Sequence, residues 1–454
     1  MTRTQKPLLL SVVLLTSMLS CAQKTPVSPT FSGKFLPENG KIQFILGQDS
    51  DTLSDARKDL IDGAGFPAPA GITLYTNIGN TVPDNEQWRV LGGVPHNEKH
   101  EYGQGYASNS INLGSGKVDF KASVDQYSTS DTLSVGLWLS GTSVNCAQQP
   151  LRAMLDRNDG DLTPELKGQY RYYFEQLGQY FKSLTGKKVF LRIGYEFDGP
   201  WNCFNAQLYR DAFKEIKKTI NAQTDNVAYV WQASAWPQPY DQGGEFGDPD
   251  GVPYGWYRDL RYNGSKDFHH PLSPTDEKFG QAMLDSFYPG DDVVDWVGVS
   301  YFYGTSWMET WGEGSKYALY TPTQAQNAIL KFARAHNKPV QISESAPQGY
   351  DLTHKTVKTI FNGTQKDLSD QQIWDGWYVP YFKFISDNKD VIRSVAYINT
   401  FWQSQASWIC SDGATAGGPA CPSGYWGDHR LQQNAFIRDH FQAELQSGSW
   451  LLGK

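Results

Sequence analysis

Charged residues are scarce in this chain, and no run of basic residues interrupts it. Lys, Arg, Asp and Glu make up 19% of its 454 residues, and the formal net charge is −8. A nucleic-acid-binding surface needs clustered Lys and Arg side chains that neutralise phosphates. The composition therefore argues against a nucleic-acid partner.

Metal-binding and phosphate-binding patterns are also missing. No pair of Cys residues has the spacing of a zinc site, and the adjacent His269 and His270 lie in a polar stretch. The turn after the first apolar run, Gly47 to Ser50, is not the Gly-rich turn that holds a dinucleotide phosphate. We therefore predict neither a metal site nor a cofactor.

One apolar stretch, Leu8 to Leu19, follows Arg3 and Lys6 at the N-terminus and is too short to span a bilayer stably. Residues 17–21, SMLSC, resemble a bacterial lipoprotein cleavage site, which predicts a signal peptide over 1–21 and a lipidated Cys21. Plain secretion is the alternative. Residues 22–38 then form a polar tether, so we expect a protein of the bacterial cell envelope that meets the membrane only through its lipid.

Four cysteines remain after Cys21, and an even number in an exported protein permits two disulfides. Cys410 and Cys421 bracket a loop rich in Gly, Ala and Ser. Cys146 and Cys203 each follow a predicted strand closely. We therefore predict the pairs Cys410–Cys421 and Cys146–Cys203.

Short apolar runs alternate with longer helical patterns along the rest of the chain. Eight such runs predict strands over 41–46, 71–76, 133–139, 189–193, 227–232, 293–301, 339–343 and 395–401. Eight strands with helices between them predict an α/β fold, the (β/α)8 TIM barrel, as one domain over 39–454. Long loops are expected after the second and fifth strands.

Two glutamates follow predicted strands at the end of the barrel where functional groups collect. Glu196 lies beyond the fourth strand and Glu344 beyond the seventh. Glycoside cleavage needs one carboxyl group to protonate the departing oxygen and another to attack or to activate water. The alternative for either glutamate alone is an ordinary surface carboxylate or a salt bridge.

The neighbours of each glutamate suggest its role. Tyr195, Phe197 and Trp201 shield Glu196, and desolvation raises the pKa of a carboxyl group, so Glu196 is the predicted acid/base. Glu344 lies between two serines and is expected to be ionised and exposed, as suits a nucleophile. Arg192 precedes Glu196 by an even number of positions and should point to the same side of the strand. A buried Arg needs an acidic partner, so a catalytic carboxylate is predicted; the alternative is a structural ion pair with some other buried acid.

Aromatic residues reach 14% of the chain, more than packing needs, and flat rings stack on sugar faces. Trp201, Trp236 and Trp402 each come just after a strand, and Trp402 is the predicted platform under the reacting ring. Asn399 and Gln48 are possible hydrogen-bond donors to sugar hydroxyls.

Four stretches resemble glycoside hydrolase family 26, the β-mannanase and related glycanase family, within the larger group of retaining barrel glycosidases. They are RIGYEFDGPW, VAYVWQASAWP, FYPGDDVVDWVGVSYF and KPVQISESAP, at 192–201, 227–237, 287–302 and 338–347. The resemblance implies a retaining double displacement with Glu196 as acid/base, Glu344 as nucleophile and carboxyl groups about 5 to 5.5 Å apart. A Tyr of the sixth strand that hydrogen-bonds the nucleophile is also implied, and Tyr301 is favoured over Tyr303.

Two departures from the family leave the sugar open. Tyr195 stands where the family usually has His, and Asp198 where Asn is expected. The predicted function is endo-hydrolysis of a β-linked polysaccharide, which could be mannan, xylan, an algal galactan or mixed-linkage glucan. The protein is expected to be a monomer. The alternatives are an exo-acting glycosidase on the same barrel and a surface lipoprotein that binds glycan without cutting it, which both glutamates argue against.

Overall fold

The structure, a computed structural model, describes most of the chain from residue 31 onward. The described residues are 31–38, 40–80, 89–97, 111–112, 114–139, 149–156, 162–199, 202, 204–235, 279–302, 322–358, 365–411, 413–414 and 418–454. The predicted signal peptide, Cys21, Cys146 and Cys203 therefore lie outside the described residues.

Eight parallel strands close into a barrel, as the sequence predicts. They are β1 (Ile42–Gly47), β2 (Gly71–Asn80), β3 (Thr132–Trp138), β4 (Lys188–Ile193), β5 (Val227–Ala233), β6 (Trp296–Tyr301), β7 (Val340–Ser345) and β8 (Ile392–Ile398). Each strand pairs in parallel with the next, and β8 pairs with β1 to complete the ring. The (β/α)8 TIM barrel is thus confirmed.

Helices surround the barrel and cover its outer face. They are α1 (Ser50–Asp55, continued by a π-helical stretch at Ala56–Asp62), α2 (Phe120–Gln126), α3 (Gln149–Ala153), α4 (Pro164–Ser183), α5 (Ala206–Asn221), α6 (Phe279–Phe287), α7 (Pro322–Ala335), α8 (Asp370–Ile373, Trp374–Tyr378 and Val379–Asp387, the middle part π-helical) and α9 (Ala435–Leu445). The predicted cap of α4 is present, since the side chain of Thr163 accepts a hydrogen bond from the Leu166 amide at 3.2 Å.

Short extra elements decorate the barrel. Arg89–Leu91 extends the sheet antiparallel to β2, and Trp450–Leu451 pairs in parallel with β1. Ile111–Asn112 pairs with Lys117–Val118, and a small sheet joins Tyr350–Asp351, Thr356–Val357 and Lys366–Asp367. Turns of 3-10 helix occur at Trp402–Ser404, Ala406–Trp408 and Leu431–Gln433.

The inside of the barrel changes character along its axis. At the N-terminal end of the barrel, Phe190, Val230 and Trp296 form an apolar plug. The segment before β1 covers this end, and its Lys34 carbonyl accepts a hydrogen bond from the Trp296 indole at 2.7 Å. Towards the other end, buried polar side chains line the strands: Gln43, Thr73, Arg192, Gln232, Ser300 and Gln341. Buried polar groups need partners, so this half of the barrel is where a site can be built.

The disulfide Cys410–Cys421 is present, as predicted, in the region that follows β8. It closes a chain separation of 11 residues beside the 3-10 turns. Among the described residues, no helix combines the length and apolar character that a bilayer crossing requires.

Candidate active site

Glu344 is placed in the barrel by an irregularity in β7. Ile342 pairs with Val299 and Glu344 pairs with Ser300, so Ser343 is an extra residue in the register with β6. A bulge re-aims the side chains that follow it. Ser345 therefore points outward, where its hydroxyl meets the Tyr381 hydroxyl at 2.8 Å, and Glu344 points inward.

Two donors hold the Glu344 carboxylate on the same oxygen. Arg192 Nη1 donates to Glu344 Oε1 at 2.5 Å, and the Tyr75 hydroxyl donates to that oxygen at 2.8 Å. Burial, followed by the charge of Glu344, raises the pKa of Tyr75 well above its usual value, so this hydroxyl stays protonated and donates. The expected pairing of Arg192 with one of the two glutamates is found, and the partner is Glu344.

Glu344 is more enclosed than its serine neighbours suggested. It is 5% exposed, so the expectation of an exposed carboxylate is wrong. Closure of the barrel brings Tyr75 of β2 and Arg192 of β4 over it, contacts that neighbouring residues in the sequence cannot reveal.

Arg192 is itself held from several sides and is fully buried. Nη2 donates to Thr73 Oγ1 at 3.0 Å, and the guanidinium lies 4.8 Å from the centre of the Tyr75 ring and 5.4 Å from that of Tyr195. Gly136 leaves the room for this arrangement, since a Cβ there would lie 2.5 Å from the Tyr75 ring and 3.0 Å from Arg192 Nη2. Tyr195 thus packs over the cation that binds the nucleophile candidate.

Glu196 stands on a strained turn immediately after β4. Gly194 and Glu196 both have positive φ, 53° and 55°, and such a backbone at a non-glycine residue costs energy that functional sites often store. Asn202 Nδ2 fixes the turn by donating to the Glu196 carbonyl at 2.8 Å and to the Tyr195 carbonyl at 3.1 Å. Phe197 anchors it from the other side by stacking on Trp231, with ring centres 4.4 Å apart.

Asp198 ties the same turn to the end of β5. Its Oδ1 accepts a hydrogen bond from the Ser234 amide at 2.5 Å. Burial raises the pKa of Asp198 to about 6 in spite of this bond. The residue that departs from the family pattern therefore has a structural contact next to the site.

The Glu196 carboxyl group is half-buried and accepts a hydrogen bond from Ser300 at 2.8 Å. Burial, and then the charge of Glu344, raise the pKa of Glu196 well above its usual value, in the expected direction. Ser300 opposes the rise by donating to the charged form. The site therefore contains one carboxylate bound to a cation and one carboxyl group that tends to keep its proton.

Trp402 does not offer the predicted platform. It is 2% exposed, its indole donates to His429 Nδ1 at 2.7 Å, and its ring packs against Trp408 and Trp426. The residue begins a 3-10 turn after β8, and the loop that carries the disulfide folds over it. A sugar cannot stack on a ring that is covered in this way, so this expectation is wrong.

Tyr301 faces the helices instead of the nucleophile. Its ring packs against Trp377, Tyr381 and Phe384 of α8, because strand alternation turns Ser300 inward and Tyr301 outward. The hydroxyl that reaches Glu344 belongs to Tyr75, so the assignment of Tyr301 is wrong. Tyr303, the other candidate, lies outside the described residues, as do Trp201 and Trp236.

Asn399 and Gln48 are buried and already engaged. Asn399 Nδ2 donates to Gln432 Oε1 at 2.9 Å, and its Oδ1 accepts from the Leu431 amide at 2.7 Å. Gln48 Nε2 donates to Gln405 Oε1 at 3.3 Å. Both side chains stabilise the loops around β8, and their burial leaves them little exposed to a substrate.

Three residues that the structure places at the site were not predicted: Tyr75, Gln232 and Ser300. Trp138 ends β3 two positions after the inward Gly136 and is 38% exposed, so it offers the open indole that Trp402 does not. Polar or small residues at alternate positions, Thr73 and Tyr75 in β2 and Gly298 and Ser300 in β6, were the available signal for inward-facing chemistry. Within the described part of the chain, no cluster of three His, Cys, Asp or Glu residues could hold a metal ion.

Comparisons with known proteins agree with a glycosidase barrel. The chain is 29% identical over 427 residues to a β-1,3-xylanase from an Alcaligenes species and 28% identical over 427 residues to one from a Vibrio species. Each alignment covers 92% of this chain, which spans only about two thirds of the relatives' length, 66% and 67%. No protein-family model matches the chain.

Among solved structures, one similar protein is a modular endo-β-1,4-mannanase from Cellulomonas fimi, whose description concerns glycoside hydrolase family 26 mannanases. It is 14% identical with a TM-score of 0.45, over 91% of this chain and 72% of that one. Likeness at this distance does not inform the site.

Proposed function

We propose that this chain, a family 26-like barrel glycoside hydrolase that acts on a β-linked polysaccharide, cleaves β-1,3-linked xylan with retention of configuration. The observation that carries the proposal is the pair of carboxyl groups at the ends of β4 and β7, one bound to Arg192 and the other with a raised pKa. Glycoside cleavage requires that division of roles, and retention is what the resemblance to family 26 implies.

In the first step Glu344 attacks the anomeric carbon while Glu196 gives its proton to the departing glycosidic oxygen. Arg192 and Tyr75 both bind Oε1 of Glu344, so we assign the attack to Oε2. A bond forms between Oε2 and the anomeric carbon as the bond to the leaving oxygen breaks. Arg192 and Tyr75 fix the direction of attack, which is the contribution that positioned groups make to such a step.

In the second step Glu196, now ionised, takes a proton from water as the water oxygen attacks the anomeric carbon. The ester bond to Glu344 breaks, and its carboxylate returns to Arg192 and Tyr75. Two inversions at the same carbon give retention overall. The raised pKa of Glu196 suits both roles, because the group must hold a proton in one step and accept one in the next.

The linkage and the sugar are drawn from the relatives, which are named as β-1,3-xylanases and align along nearly the whole chain. Tyr195 in place of the usual His is compatible with a substrate other than mannan. Export, and attachment to the cell envelope through Cys21, belong to the same proposal, since such a polysaccharide lies outside the cell.

The test measures reducing-sugar release from β-1,3-xylan, β-1,4-xylan, β-1,4-mannan and β-1,3-glucan. The wild type should act on β-1,3-xylan, while Glu344→Ala and Glu196→Ala should lose at least about a hundredfold, as removal of a nucleophile or a proton donor predicts. Preferential release from β-1,4-mannan would overturn the substrate assignment. Binding without release by the wild type would indicate a capture protein.

Azide rescue of the two variants assigns the roles separately. With an activated aryl β-xyloside, azide should replace the missing nucleophile of Glu344→Ala and give an α-glycosyl azide. In Glu196→Ala, azide should attack the glycosyl-enzyme and give the β-glycosyl azide. The reverse pattern would exchange the two roles.

A further inference from the structure

A continuous chain of hydrogen bonds runs through the barrel from one glutamate to the other. Arg192 Nη1, which binds Glu344, also donates to Gln232 Oε1 at 3.1 Å. Gln232 Nε2 donates to Ser300 Oγ at 3.1 Å, and Ser300 Oγ donates to Glu196 Oε1 at 2.8 Å. The two carboxyl groups are thus connected through side chains of β4, β5 and β6.

Arg192 fixes the donors and acceptors of the first two hydrogen bonds in this series. A guanidinium only donates, so Gln232 must present its oxygen to Arg192 and its NH2 group to Ser300. The Ser300 oxygen is then an acceptor from Gln232, and its own proton is left for Glu196. The cation therefore influences the orientation of a hydroxyl group two hydrogen bonds away.

The side chains that form this series of hydrogen bonds are shielded from solvent and closely packed. Arg192, Gln232 and Ser300 are all fully buried. Gly298 makes space for it, since a Cβ there would lie 2.6 Å from the Cβ of Gln232. Hydrogen bonds in such a setting are stronger than in water, and a missing partner is costly.

We propose that Ser300 and Gln232 are positioning residues for Glu196: Ser300 holds Oε1 of its carboxyl group, and Gln232 orients Ser300 from the Arg192 side. The proposal rests on the proposed function, in which Glu196 is the acid/base. Because Oε1 accepts the Ser300 proton, the proton that Glu196 transfers is carried by Oε2.

The hydrogen bond from Ser300 also favours the ionised form of Glu196, against the effects of burial and of Glu344. Among the described residues, the other titratable or charged groups that act on Glu196 are Glu344, Arg192, Asp198 and Tyr195, and each remains when Ser300 is replaced. A shift in the variant therefore reports the serine.

The test is the pH dependence of kcat/KM on β-1,3-xylotetraose, from about pH 4 to pH 10. Ser300→Ala should move the basic limb, which requires protonated Glu196, to higher pH by about one unit. At the wild-type optimum its rate should fall about tenfold, since Glu196 loses its orientation. Ser300→Thr, which restores a hydroxyl group, should return the limb towards that of the wild type.

A second substrate separates positioning from a general structural effect. A 2,4-dinitrophenyl β-xyloside has a leaving group that needs little protonation, so its glycosylation step should be nearly unaffected by Ser300→Ala. Gln232→Met should move the basic limb of the pH profile in the same direction as Ser300→Ala, by a smaller amount. The double variant Gln232→Met/Ser300→Ala should show the same basic limb as Ser300→Ala alone, because Gln232 acts through the serine. Equal losses on both substrates would overturn the proposal.

The matched control is Ser394→Ala, a buried serine of β8 whose Oγ accepts from Gln341 Nε2 at 3.3 Å. It should leave the basic limb unchanged. If Ser300→Ala does not fold, Ser300→Cys fills the volume with a weaker donor and should shift the limb in the same direction.

Failure of this proposal can be distinguished from failure of the proposed function. If Glu196→Ala cleaves xylotetraose as fast as the wild type, or if the wild type does not cleave it, the proposed function is wrong. If Glu196→Ala is inactive and the basic limb of Ser300→Ala stays within about 0.2 units of the wild type, below the expected shift, only the positioning role is overturned.

Discussion

Replacement of Tyr75 by Phe removes one hydrogen bond from the nucleophile candidate and almost nothing else. The phenol donates to Glu344 Oε1 at 2.8 Å, whereas its ring packs on Arg192 and meets Tyr195 edge-on with centres 5.4 Å apart. Phe keeps the ring, so both packing contacts survive. The change therefore isolates the effect of one donor on Glu344.

The magnitude follows from the charge and burial of the acceptor. A hydrogen bond to a charged group contributes about 1.5 to 3 kcal/mol, which would correspond to a loss of about 10- to 100-fold if it acted wholly in the transition state. Part of this free energy does not affect the rate, because the Tyr75 hydroxyl also stabilises the starting carboxylate. Glu344 then loses negative charge as its bond to the sugar forms, so the hydrogen bond weakens towards the transition state. We therefore expect the lower end, about a tenfold fall in kcat/KM.

The assay is kcat/KM on the same xylotetraose, with thermal unfolding followed in parallel. Tyr127→Phe is the matched control, since this buried phenol donates at 2.7 Å to the Leu53 carbonyl, which is neutral and belongs to α1. It should cost about 1 kcal/mol of stability and leave kcat/KM unchanged. A change of less than about twofold in folded Tyr75→Phe would refute the reasoning, because orientation of Glu344 would then not depend on Tyr75.

Two further predictions concern the supports of the site. Gly136→Ala should lower the free energy of unfolding, measured in urea, by about 1 to 3 kcal/mol and should also reduce kcat. The reason is that the new Cβ would lie 2.5 Å from the Tyr75 ring and 3.0 Å from Arg192 Nη2. An unchanged free energy of unfolding together with an unchanged kcat would contradict this prediction. Folding raises the pKa of Asp198 from 3.8 to about 6, which means that the folded state binds the protonated carboxyl group more favourably than the unfolded state does. The contribution of Asp198 to wild-type stability is therefore complete below about pH 4 and is lost as the pH rises through about 6. Asn does not titrate, so the free energy of unfolding of Asp198→Asn relative to wild type should rise over that window by at most about 3 kcal/mol, whereas a difference independent of pH would count against the shift.

The fold could be predicted because it depends on patterns that are local in the sequence. Each strand is a short apolar run, and each long helix has its own periodicity and cap, as Thr163 shows for α4. The limits were less accurate: residues 293–295 belong to a turn before β6, and β7 extends through Ser345. Strand pairing decides where a strand stops, and the partners are distant in the chain.

The site could be predicted only where the type of a residue and its immediate sequence neighbours indicate its role. A buried Arg on a strand needs an anion, and Arg192 has one in Glu344. The phenol on Glu344 could not be assigned in this way, since Tyr75 is 269 residues away in the chain and reaches the carboxylate only because the barrel closes. The family resemblance implied a tyrosine of the sixth strand and so indicated Tyr301, but strand alternation turns the Tyr301 ring outward.

The aromatic residues illustrate the same limit for exposure. Trp138 ends β3 and Trp402 follows β8 by a few residues, and nothing in their sequence neighbourhoods distinguishes a covered ring from an open one. The difference comes from the region after β8, where Trp408, Trp426 and His429 enclose Trp402. Substrate stacking therefore depends on loop packing, which composition does not determine.

Glu344 shows how much a single extra residue can decide. Gln341 and Ser343 both point into the barrel, since the Ser343 hydroxyl donates to Gln341 Oε1 at 3.0 Å. Strict alternation would then send Ser345 inward and leave Glu344 under α8, away from Arg192. The bulge at Ser343 exchanges the directions of Glu344 and Ser345. Glu344 therefore faces Arg192 because the register of β7 against β6 shifts by one residue, and not because of its position in the apolar run of the sequence.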